Sequence, residues 1–303
     1  MTPCLPLAAA PATGALVGYL AIIVVAAFAG GASVALVSLS HRPMQVLVSL
    51  TGGVLLGVGL LHLLPHAHRA LGGDIDATAA WTLAGFCLMF VLERIFHGHA
   101  HHSTDEPHAC GHDHHHEPGP AAPHPAAAAG RWAWCGAFAG LGLHSLADGA
   151  ALAASVQAEA PHGGPLAGLA TFLAILLHKP FDAAIIAMLM IAGGASAATR
   201  RFANVAYAAL VPLGAAVFLT VLPFCGRHEP AVLGVAMAMA AGAFLCVAAA
   251  DLLPEVQFHT HDRTLLTAAL AMGLSLAWGI TVLERAAHGH GPPARPAESR
   301  SAP

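Results

Sequence analysis

Val91-Leu92-Glu93-Arg94-Ile95-Phe96-His97-Gly98-His99 returns late in the chain as Val282-Leu283-Glu284-Arg285-Ala286-Ala287-His288-Gly289-His290. An acid, a base and two histidines in the same order inside apolar sequence are hard to ascribe to composition. Upstream of each copy a second block also recurs. Gly53 to Leu61 followed by His62-Leu63-Leu64-Pro65-His66 pairs with Gly242 to Ala250 followed by Asp251-Leu252-Leu253-Pro254-Glu255. The spacing between the blocks is nearly equal in both copies, so the chain contains an internal repeat.

Composition says what kind of chain repeats. Hydrophobic residues make up 57% and charged residues 9% of the 303 positions, with a mean hydropathy of +0.69. Soluble domains carry about 25% charged residues. A helical span needs about 20 apolar residues, and eight stretches qualify, roughly 15–39, 46–64, 80–96, 133–156, 166–190, 203–223, 231–253 and 265–284. The expected fold class is therefore an all-α integral membrane protein, residues 1–303 forming a single transmembrane domain. The first stretch is too long for a signal-peptide core and has no Lys or Arg before it, so it reads as a span. The six cysteines show no CxxC pairing and lie mostly in apolar segments, which argues against a disulfide framework. No basic aromatic surface points to nucleic acid.

The repeat places spans two and three opposite spans seven and eight. The offset is an odd number of spans, so the copies run in opposite directions. This predicts a 3+2+3 arrangement in which spans 1–3 and 6–8 are inverted copies flanking spans four and five. Inverted repeats are typical of secondary transporters, with the substrate near the midplane. Arg42, Arg94, Arg131, Arg200, Arg201 and Arg263 fall in loops of one side, which favours both termini outside the cytosol.

The two central spans carry the chemistry. His144-Ser145-Leu146-Ala147-Asp148-Gly149 and His178-Lys179-Pro180-Phe181-Asp182 each set a His and an Asp four residues apart. Such residues share one helix face. Two adjacent spans can thus offer two imidazoles and two carboxylates to one divalent ion. Polar side chains also glue membrane helices together, but four ionisable groups in hydrocarbon need a compensating charge. Pro180 removes the helical donor of the Leu176 carbonyl and predicts a kink. Lys179 repels a cation, yet can neutralise Asp148 or Asp182 when no metal is bound.

His62 and His66 end span two, and Asp251 and Glu255 end span seven. In an inverted repeat these ends face opposite sides, which suits pathway ligands in two vestibules. The bland reading is that Pro65 and Pro254 close helices with polar caps. The stretch 97–130 contains His97, His99, His101, His102, His108, His112, His114, His115, His116 and His124. It has few bulky apolar residues and predicts a disordered cytoplasmic loop that buffers or senses metal. The tail, 289–303, reads as unstructured.

Taken together, the Leu61-His62-Leu63-Leu64-Pro65 stretch, the HSLADG and HKPFD motifs, Asp251-Leu252-Leu253-Pro254-Glu255 and the His-rich loop resemble the ZIP (Zrt/Irt-like) metal-ion transporters. The resemblance covers nearly the whole chain. It implies eight spans, both termini outside, and metal moving towards the cytosol by an elevator-like motion. It carries the primary site over to His144, Asp148, His178 and Asp182. Ser145 stands where the family often has Asn, and Lys179 where it often has Glu or Asp. Span six has neither Glu nor Asp to offer a second metal. The expectation is one metal, with Lys179 in the second cation's electrostatic role. The transported substrate is expected to be Zn2+, with Fe2+, Mn2+, Cd2+ and Co2+ left open by overlapping N/O ligand preferences. No prosthetic group is expected. Expected partners are the metal and the lipid bilayer, with a homodimer as a candidate assembly and a bacterial inner membrane as the candidate location. The competing readings are a zinc/proton efflux antiporter of cation-diffusion-facilitator type and a non-transporting metal sensor. The former normally places its motifs on non-adjacent spans and adds a soluble domain. No HExxH motif or P-loop favours an enzyme.

Overall fold

The computed structural model describes residues 10–34, 41–97, 133–162, 166–252 and 263–288. All regular structure among them is helical. Ten α-helices follow in order: α1 (Ala10–Ser33), α2 (His41–Gly57), α3 (Leu64–Ala70), α4 (Ile75–His97), α5 (Ala133–Glu159), α6 (Leu169–Ala192), α7 (Ala197–Ala208), α8 (Leu210–Val221), α9 (Glu229–Val247) and α10 (Arg263–His288). Seven helical stretches among the described residues are long and apolar enough to cross a bilayer. Large apolar side chains such as Val17, Val25, Leu83, Phe202, Val217 and Trp278 are exposed around the outside. That surface belongs in lipid, and the chain is a multi-pass integral membrane protein. The His-rich segment from Gly98 onward, the tail 289–303 and Glu255 lie outside the described residues.

One apolar stretch, Ala197–Ala250, runs for 54 residues. It contains α7, α8 and α9, and its helical backbone fails at Gly226, with φ 50° and ψ −121°. A positive φ is open to glycine because no Cβ clashes. α7 starts with a Ser196 cap whose Oγ accepts from the Thr199 N–H at 3.1 Å, satisfying an orphan donor of the first turn.

The two copies of the repeated block adopt the same unusual backbone. Between α2 and α3, residues Val58–Leu63 form a π-helical turn, and the Leu64 N–H donates to the Gly59 carbonyl. A second π-helical turn, Ala248–Leu252, follows α9. Each lies just before the proline of its block. Proline lacks the N–H that the carbonyl four residues back would accept, and a wider turn redistributes those bonds. His62 and Asp251 sit in these turns.

Four helix pairs dominate the packing: α4 with α9, α2 with α10, α5 with α8, and α1 with α6. Three are seamed by glycines on both sides. Gly85 lies on the Met239 backbone and Gly242 on Thr82; Gly53 on Leu270 and Gly273 on Leu50; Gly149 on Val211 and Gly214 on Leu146. In the fourth, Gly30 lies on the Pro180 backbone, and Tyr19 stacks on Phe172 at 4.3 Å between centroids. Lipid is as apolar as the side chains, so small residues that let backbones approach supply the contact energy. α6 continues as helix through Pro180.

Candidate metal centre

α5 and α6 pack side by side and turn their four-residue repeats toward each other. His144, Asp148, His178 and Lys179 are all buried. The two imidazole rings are 5.4 Å apart. Donor atoms of His144, His178 and Asp182 lie within 4.8 Å of one another. Asp148 Oδ2 is 3.4 Å from His144 Nε2 and 3.2 Å from His178 Nε2, and Asp182 Oδ2 is 4.0 Å from His178 Nε2. The structure thus brings all four sequence-selected ligands to one place.

Lys179 occupies the same place. Its ammonium is 2.5 Å from Asp148 Oδ2 and 3.2 Å from Asp182 Oδ2, and it donates to Ser145 Oγ at 3.1 Å. The residue is 0% exposed, so its stem does not snorkel to an interface. Ser145 in turn donates to the Leu141 carbonyl at 2.8 Å, leaving its oxygen to receive the ammonium. Tyr207, at the end of α7, donates to Asp182 Oδ2 at 3.1 Å. Sequence reasoning missed Tyr207, which no local spacing connects to the motifs.

One hydrogen bond fixes the ring chemistry. The Ala174 carbonyl can only accept, so His178 Nδ1–H donates to it, at 2.7 Å. In the neutral ring Nε2 then carries a lone pair. That lone pair faces Asp148 Oδ2. Two acceptors hold such a position only around a shared cation or proton, and a ring braced by a carbonyl on its far nitrogen is the usual posture of a metal-ligating histidine. A cavity of about 440 Å³ reaches the site. Its wall is apolar, from Leu88, Met89, Phe218 and Phe244 among others, and His144 and Asp148 are its polar lining.

A second cluster gathers at the far end of α5. His62, in the first π-helical turn, sets Nε2 2.9 Å from Glu159 Oε1 at the end of α5. Its Nδ1 is 2.9 Å from Glu284 Oε2 on α10. Glu159 Oε2 also accepts from the Gly168 N–H at 2.8 Å; Gly168 has φ 75°, a left-handed turn that aims its N–H at the carboxylate. His66 stacks near His62, ring centroids 4.6 Å apart. His62 and His66 therefore come together with Glu159 and Glu284, which the sequence reading had not assigned. Asp251 lies at the corresponding turn of the other copy, and its side chain is outside the described residues.

The sequence of the chain matches the model of the ZIP zinc transporters over residues 13–131 and 104–281. This protein belongs to that family. Among curated proteins it is similar to zinc transporter ZIP9-B of Xenopus laevis, 29% identical over 221 residues. The alignment takes in 69% of this chain and 61% of that relative.

Proposed function

We propose that the protein moves divalent transition-metal ions across the membrane, zinc foremost, toward the cytosol. The ion is held by His144, Asp148, His178 and Asp182 as a mononuclear site, and Lys179 stands in for a second cation. The observation that carries this reading is the His178 ring, whose Nε2 lone pair is turned onto a carboxylate beside a second imidazole and a second carboxylate. Membership of the zinc transporter family and the name of the frog relative support the same substrate class. Zinc favours such N/O sets at about 2.0–2.2 Å, so the four donors close in on an arriving ion while Lys179 yields the carboxylates. When the ion leaves, the ammonium returns to Asp148 and Asp182 and keeps two buried anions compensated.

The architecture that goes with this reading has eight spans in an inverted 3+2+3 arrangement, with both termini outside. A straight 54-residue helix would run about 81 Å, against a hydrocarbon core of about 30 Å. The break at Gly226 favours counting that stretch as two spans. The matching π-helical turns and the mirrored glycine seams, α2 on α10 and α9 on α4, support the inversion. In this reading the His-rich segment 97–130 buffers or regulates metal.

The test is zinc uptake into proteoliposomes loaded with a zinc-sensitive dye. Wild type should transport, and Asp148→Ala/Asp182→Ala should not. Flux that survives the double substitution sinks the site. Zinc binding without flux, in a preparation with sound reconstitution controls, favours a sensor.

A further inference from the structure

His62 is 1% exposed, Glu159 2% and Glu284 5%. A neutral imidazole has one N–H and one lone pair. Flanked by carboxylates at 2.9 Å on both nitrogens, a neutral His62 turns its lone pair onto a carboxylate oxygen. The structure shows the strain of that position: His62 Nδ1 and Glu284 Oε1 are buried without a hydrogen-bond partner. Buried polar atoms left unmatched are costly, and each calls for a reason. Two buried carboxylates around one imidazole need positive charge from somewhere.

The geometry points to a second divalent-metal site, built from His62, His66 and Glu159 and oriented by Glu284. Donor atoms of His62, His66 and Glu159 lie within 4.8 Å of one another, so a small ion between them contacts all three after short side-chain movements. Two imidazoles and a carboxylate suit zinc with a fourth position left for water. Glu284 takes the outer role: a carboxylate on the far nitrogen of a ligating histidine fixes its tautomer and raises its basicity. Ligand binding would give His62 Nδ1 a settled donor role toward Glu284. The cluster is separate from the first. Asp148 and Glu159 are eleven residues apart on α5, about 16 Å along the axis at 1.5 Å per residue. Between them Ser155 Oγ and Thr171 Oγ1 bond at 2.8 Å, and Leu152 and Ile175 are fully buried.

The test is protection of His66, which is half-buried and within reach of a small reagent. Full-length protein in detergent is treated with diethyl pyrocarbonate at buffered free zinc, and carbethoxylation is read peptide by peptide so that the His-rich segment is counted apart. At free zinc ten times the dissociation constant, occupancy should slow His66 modification about tenfold. Asp148→Ala/Asp182→Ala should keep this protection, which separates the second site from the transport quartet. Glu159→Gln, which still accepts from Gly168, should abolish it. Glu284→Gln should raise the zinc required by about 10–100-fold. Equal modification of wild type with and without zinc overturns the site and leaves a protonated His62 between two carboxylates. Protection lost in the Asp148/Asp182 variant but intact in Glu159→Gln overturns it too. Should Glu159→Gln not fold, the wild-type and Glu284→Gln titrations decide.

Discussion

Replacing Lys179 with Met keeps an apolar stem of similar length and removes the ammonium, with its bond to Ser145. In the metal-free protein this leaves Asp148 and Asp182 buried without the ammonium that contacts both. Removing one partner of a buried ion pair costs about 3–5 kcal/mol. At roughly 2–4 °C per kcal/mol, metal-free Lys179→Met should melt on the order of 10 °C below wild type. Zinc supplies the missing charge, so the deficit should shrink or vanish at saturating zinc. The same energy should reappear as tighter binding, about 100-fold or more at 1.4 kcal/mol per decade. The assay is tryptophan-fluorescence melting in detergent, with chelator and across a zinc titration. A melting deficit that zinc leaves unchanged, with unaltered affinity, would refute the counter-ion role and make Lys179 a packing residue.

Acid should weaken zinc binding at the quartet, because a proton on either imidazole takes the lone pair the ion needs; calorimetry should show affinity falling as pH is lowered, and affinity indifferent to acid would remove the imidazoles from the ligand set. Gly149→Leu should destabilise the fold by about 1–3 kcal/mol or more through overpacking, since an added Cβ meets the Val211 backbone; detergent melting reads the loss, and no change would remove the glycine seam from the packing account. Deleting 98–124 should leave dye-reported uptake largely intact if the segment buffers or regulates, whereas complete loss of uptake would place it on the pathway.

How much was legible in the sequence varied by residue. The quartet was readable because its members repeat at four residues inside spans whose helicity follows from length and apolarity alone. Glu159 was not, since its partner His62 is 97 positions away and a lone Glu at a span's end looks like a polar cap. Glu284 was noticed only as a marker of the repeat; that it points at His62 depends on how α10 lies along α2. Tyr207 was hidden for the same reason. The π-helical turns had a local signal in Pro65 and Pro254, but proline equally predicts a helix end, and only tertiary packing decides between the two. Pro180 shows the reverse case: a predicted kink site that stays within continuous helix, braced by Gly30 of α1.

The glycine seams tie the helices in pairs, and the second cluster is built across those pairs. Glu159 stands on α5, seamed to α8; Glu284 stands on α10, seamed to α2; His62 lies in the turn that follows α2. Its contacts to both carboxylates, each 2.9 Å, therefore clasp one pair to another. If those pairs slide past each other by even one helical turn, about 5.4 Å, the clasp to Glu159 must open. An ion gripped by His62, His66 and Glu159 would then work as a brake on any such displacement.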